Sequence, residues 1–178
     1  RRAPISGGRV GFGGGAMSGA DRIRVGLTAL LAMLISTLGL QPAFSDWVWP
    51  IAGLWAAAAW SSLGLSLWAA GVLCVMGLFQ DIAYEAPLGA WPLALLGAYS
   101  VGLVTMARTP PMSRLTAEAI TVFGGLVAAA VALAAANDLA GAAAFWRNGM
   151  IGDLLITAAL YPLARNLFPH AEVLEARR

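Results

Sequence analysis

The chain contains no lysine, one cysteine and one histidine, and few charges of either sign. Each shortage excludes something. With Cys74 alone there is no internal disulfide and no multi-cysteine metal site. With His170 alone there is no zinc site built on histidines, and a Ser-His catalytic pair has only His170 to use. That residue follows the last apolar run, in a polar tail. Only 11% of the 178 residues are charged, against about a quarter in an ordinary soluble domain. A formal net charge of +2 is too small to carry nucleic-acid binding. No GxSxG, HExxH, CxxC or phosphate-loop pattern occurs, so the sequence argues against an enzyme, and it calls for no cofactor or metal.

What is present is apolar. The chain is 60% hydrophobic, with a mean hydropathy of +0.76. A soluble fold cannot hide that much apolar surface, so the expected solvent is lipid. The apolar runs are continuous and do not alternate, so the expected class is all-α, a bundle of six membrane-spanning helices and not a barrel. The expected spans are 25–41, 48–60, 65–81, 88–106, 117–136 and 150–168, together a membrane domain over 22–168. Residues 1–21 form a Gly-, Arg- and Ser-rich tail, expected to be disordered, with Met17 a candidate start. Residues 169–178 form a charged tail. The first run is near the lower length limit for a span. It also reads as a signal peptide with Ala43-Phe44-Ser45 as cleavage site, but the rest of the chain is itself membranous, which favours a span.

Arginine placement orients the spans. Counting alternate sides, Arg22, Arg24, Arg108, Arg114, Arg165, Arg177 and Arg178 fall on one side. Arg147 falls on the other, with Asp46, Asp81, Glu85, Asp138 and Asp153. Both termini are therefore expected in the cytoplasm. Small residues four apart, Gly53/Ala57 and Gly125/Ala129, are expected to let helix backbones approach closely, and a homodimer seam fits any of these faces.

The most specific stretch is the acidic turn from Gly77 to Gly89, expected on the outer face. Asp81 has two readings. One is a proton or ion relay. The other, preferred because no span carries a second midplane carboxylate, is a helix-end acceptor for turn N–H groups or a contact for a partner protein. Glu118, four residues after Arg114, is read as a helical ion pair, and Arg147 as a partner for an outer acid or another protein.

This stretch, Gly-Leu-x-x-Asp followed after five residues by Pro-Leu-Gly, resembles the signature of MreD, the rod shape-determining membrane protein family of bacteria. Trp49-Pro50 before the second span, and a last span with Pro162 late and Arg165 beyond it, agree with that family. Gln80 stands where the family more often has an apolar residue, and Tyr84-Glu85 where small polar residues are usual, so the turn is expected to meet a different partner surface. The resemblance implies a non-enzymatic scaffold of the inner membrane. Its partners would be an MreC-like single-span protein, the glycosyltransferase RodA and a class B penicillin-binding transpeptidase (directly or through MreC), with MreB and RodZ in the same machinery. It implies structural or interaction roles for Gly77, Asp81, Pro87, Leu88 and Gly89, to which the residue reading adds Arg147. The implied fold is similar to the substrate-binding subunits of energy-coupling-factor transporters, which supplies the rival expectation of a vitamin-type transporter subunit.

The orientation is testable by reporter fusions. A periplasm-dependent phosphatase inserted after Ala86 is expected to be active. A fluorescent protein that matures only in the cytoplasm is expected to shine when fused after Arg178. The reverse pattern overturns the arginine count.

Overall fold

Helix is the outcome wherever the chain is apolar and unbroken by turn residues. The computed structural model describes residues 19–38, 50–108, 114–140, 150–164 and 167–168. Among the described residues six α-helices follow one another: α1 Gly19–Leu38, α2 Ala52–Ser61, α3 Leu67–Ala83, α4 Ala90–Arg108, α5 Arg114–Ala140 and α6 Met150–Ala164. No strand occurs among the described residues, in keeping with the all-α expectation. Among the described residues, two helices contain stretches long and apolar enough to cross a membrane, Ala90–Ala107 of α4 and Ala119–Ala136 of α5.

Helix ends depart from the expected spans for local reasons. α1 starts at Gly19, so the Asp21-to-Arg24 segment is part of its first turns and not a lead-in. α2 begins only after Pro50 and Ile51 and has 10 residues, about 15 Å of helix. α3 runs two residues beyond Asp81. α4 waits for Pro87-Leu88-Gly89 to complete the turn. α5 is longer than expected at both ends: Asn137 and Asp138 lie inside it, where a loop was expected, because the alanines around them favour helix. α6 ends at Ala164, two residues past Pro162.

α2 is the axis of the bundle. Every residue from Ala52 to Ser61 is buried, and α2 packs against each of the other five helices or their flanks, most extensively against α4. A helix that is apolar on all sides must be enclosed. Its four consecutive alanines keep it thin, while Trp55 and Trp60 fill the spaces between its neighbours. The outward faces of the other helices are strongly apolar instead. Leu30, Val75, Phe123, Val127 and Leu155 are each more than half exposed, an arrangement that lipid tolerates and water does not.

Close approach of helix backbones is made at glycines. A Cβ on Gly125 would sit 3.4 Å from the Ala98 Cβ, so α4 and α5 touch at the Gly125/Ala129 pair singled out in the sequence. Gly53 faces Gln80 and Leu95. A tighter contact of this kind is at Gly102, whose Cβ would lie 2.5 Å from the Ser61 Cβ. Side-chain hydrogen bonds pin the ends. Tyr99 Oη donates to the Gly64 carbonyl at 2.8 Å and accepts from Ser66 N–H at 3.0 Å, holding the α2–α3 turn onto α4. Thr157 Oγ1 accepts from Ile51 N–H at 2.8 Å, and the Thr157 carbonyl accepts from Trp55 Nε1 at 2.6 Å, tying α6 to the start of α2.

Gly102→Ala is therefore expected to lower the stability of the detergent-solubilised protein by about 1–3 kcal/mol, an overpacking cost. Adding Ser61→Gly is expected to recover part of that loss. Thermal unfolding followed by circular dichroism reads both changes, and a double variant no better than Gly102→Ala alone contradicts the packing account.

Candidate functional site

The acidic turn is built by two helix ends that cap each other. α3 terminates because Glu85 adopts the left-handed conformation, φ 52°. Ala86 N–H then reaches back to the Asp81 carbonyl at 2.8 Å, and Glu85 N–H points at the Ile82 carbonyl at 3.5 Å. This is the six-to-one and five-to-two pattern of a Schellman stop, with glutamate where glycine is usual. A left-handed residue with a Cβ costs about 1–2 kcal/mol, so the turn carries a local strain that the rest of the junction offsets.

The Asp81 side chain does the complementary work for α4. It is 2% exposed. Its Oδ2 accepts from Gly89 N–H at 2.6 Å and its Oδ1 from Trp91 N–H at 2.8 Å. Ala90 N–H bonds to the Pro87 carbonyl at 3.0 Å, and Leu93 N–H opens the helical ladder on the Gly89 carbonyl at 3.1 Å. Residue 92 is proline and has no N–H. Every donor in the first turn of α4 is thus accounted for, which matters wherever water is scarce. A negative group also suits the positive end of the α4 dipole.

Gly77 makes this reach short enough. It lies one turn before Asp81, on the same face of α3. A Cβ there would lie 2.3 Å from Pro92 N and 2.5 Å from Pro92 Cα. Only the absence of a side chain lets α3 rest directly on the backbone of α4. Gly89, at φ 94°, supplies the other conformation that a side chain disfavours. Tyr84 extends the junction to α1, donating from Oη to the Ser36 carbonyl at 3.2 Å, and its ring stands 5.5 Å from that of Trp91.

Gly77, Asp81, Pro87 and Gly89 therefore come together in one junction. Leu88 belongs to the same turn but is 81% exposed. Arg147 lies outside the described residues, as do the side chains of Arg114 and Glu118. Asp81 acts as the helix-end acceptor for turn N–H groups that was the preferred reading, and of the turn's two carboxylates only Glu85 is exposed. Asp81 is enclosed with a backbone donor on each oxygen, and at 2% exposure it offers a partner protein almost no surface. Trp91 and Pro92 were not singled out as site residues. The signal for them was the Gly-x-x-x-Asp spacing, which aims two residues of α3 at a single neighbour.

Gln80 is a further feature of this end. It is buried beside Gly53, and neither its Oε1 nor its Nε2 has a hydrogen-bond partner; the same is true of Trp91 Nε1 and Ser36 Oγ. Among the described residues, no three His, Cys, Asp or Glu side chains come together as metal ligands would. No family model, curated protein or solved structure matches the chain.

The junction sets a ranking of variants in thermal unfolding. Asp81→Ala is expected to cost about 3 kcal/mol, since it strips two buried N–H groups of a charged acceptor. Asp81→Asn is expected to cost less, because one oxygen remains. Glu85→Gly is expected to be neutral or stabilising by about 1 kcal/mol. Equal stability of Asp81→Ala and the parent contradicts the capping role.

Proposed function

We propose that the chain is a non-enzymatic scaffold of the bacterial cell-wall elongation machinery. In this reading it is a six-span inner-membrane protein with both termini in the cytoplasm. It binds an MreC-like single-span partner and so helps to position peptidoglycan synthases, the RodA glycosyltransferase and a class B penicillin-binding transpeptidase. The observation that carries the reading is the α3–α4 junction. The residues on which the resemblance to the MreD family rests include Gly77, Asp81, Pro87 and Gly89, and these share one task, fixing the separation and tilt of two helices. A sequence whose most specific feature is devoted to rigidity suits a protein that presents a surface.

The membrane reading is supported by the two long apolar helices and by the large apolar side chains left exposed on α1, α3, α5 and α6. The shortness of α2 is compatible with it. Non-helical backbone is tolerated at membrane depth where protein surrounds it, and Ile51, just ahead of α2, is buried with its N–H held by Thr157. The vitamin-transporter alternative is less well served. The space between α2, α4, α5 and α6 is about 10 Å³, room for one water, and the larger groove between α1 and α3 is lined by apolar side chains that offer a polar vitamin almost nothing to bind.

Between the end of α3 and the start of α4, Glu85 and Leu88 are the exposed side chains, and Leu88 is the apolar one. Co-expression with an MreC-like protein is expected to give a complex that survives purification. Leu88→Glu is expected to weaken it about tenfold without changing the melting temperature, the effect of losing one buried apolar anchor. Failure of the parent chain to co-purify overturns the scaffold reading, and a clear thermal-shift response to a vitamin supports the transporter instead.

A further inference from the structure

α1 and α3 run side by side in the same direction. The Tyr84–Ser36 bond joins their C-terminal ends, so their N-terminal ends lie together at the opposite side of the bundle. Between them is an open groove of about 430 Å³, within the size range of small-ligand sites, roughly 300–1,000 Å³. Gly26, Ala29 and Met33 of α1 line one wall, and Trp68, Gly71 and Val75 of α3 the other. The lining side chains are wholly apolar apart from the Trp68 indole N–H, so a polar molecule has almost nothing to bind there.

Two details give the groove an occupant. The first is its glycines. Gly26 and Gly71 stand inside helices, where glycine is unfavourable relative to alanine. A Cβ on either would meet nothing within 4 Å, so internal packing does not require them. Their effect is to deepen the groove. The second is charge. Arg22 is exposed and lies four residues before Gly26 and seven before Ala29, on the same stripe of α1. It therefore sits at the N-terminal end of the groove, where the positive dipole ends of two parallel helices also converge. A long apolar slot with a cationic end is complementary to a molecule with an alkyl chain and an anionic head.

We propose that the α1–α3 groove holds an acyl chain of an anionic phospholipid of the cytoplasmic leaflet, with its phosphate at Arg22. The site rests on the inner-membrane reading above. Arg22 supplies the selectivity for anionic headgroups, and the two glycines supply the depth for the chain. Arg24, two positions along and so on a different face of the helix, contributes little.

Native mass spectrometry of the full-length protein, titrated in detergent with phosphatidylglycerol or phosphatidylethanolamine, tests this. The parent protein is expected to retain phosphatidylglycerol preferentially. Arg22→Gln is expected to lower that retention about fivefold, and Arg24→Gln to leave it within twofold. Gly71→Leu, which fills the groove, is expected to abolish retention of both lipids, and Val75→Leu serves as the milder filling variant if Gly71→Leu loses helicity. Retention unchanged in Arg22→Gln and in the filling variant overturns the site. So does a filling variant that dissociates a dimer, or releases a bound protein, while lipid retention stays at the parent level. Carbonate extraction of membranes separates the two levels of inference. A chain released by carbonate contradicts the membrane reading itself, whereas an integrated chain with insensitive lipid retention contradicts the lipid site alone.

Discussion

One buried carboxylate meeting two backbone N–H groups sets the geometry of this protein. A helix start leaves donors unpaired, and at the head of α4 the neighbouring helix α3 meets that need. Asp81 accepts from Gly89 and Trp91, the turn itself satisfies Ala90, and Pro92 has no donor to satisfy. The arrangement works only at the short separation that Gly77 permits. The hydrogen bonds and the backbone contact are thus mutually dependent, and the relative placement of α3 and α4 follows from both.

The remaining helices are arranged around α2, which has no exposed face. Its alanines let five neighbours gather closely, and its ends are anchored by side chains from elsewhere: Thr157 of α6 at the start, and Tyr99 of α4 at the turn that follows. Polar contacts are concentrated at helix ends and small apolar contacts in helix middles. That division is the one expected where unpaired polar groups are costly and helices associate mainly by close packing. It yields a bundle tied by polar contacts at helix ends, with large apolar side chains exposed on the outer faces of its helices.

Much of this was legible in the sequence, and the limits have physical causes. Composition alone points to an all-helical chain, because continuous apolar runs cannot be half-buried strands. The Gly77–Gly89 stretch stands out because it is acidic and rich in turn formers in an apolar setting. Asp81 was legible as a helix-end acceptor for turn N–H groups, but which donors it meets was not, because they lie eight and ten residues on and hydropathy does not register them. The reach of α5 was underestimated because Asn137 and Asp138 resemble loop residues, whereas flanking alanines keep them helical. The thinness of α2 was visible as a run of alanines, but its central place was not. Centrality is a property of five other segments as much as of its own.

The junction also constrains length more tightly than composition. Gly77, Asp81, Gly89 and Pro92 act across a connection that has no slack, since each helical residue added to α3 would turn Asp81 by about 100° away from α4. Exposed positions in between, such as Glu85 and Leu88, take no part in the Asp81 hydrogen bonds, but a single insertion or deletion shifts every partner at once. What the joint asks of this sequence is a spacing, glycine, then aspartate four later, glycine eight after that and proline three beyond, and the spacing acts as a ruler.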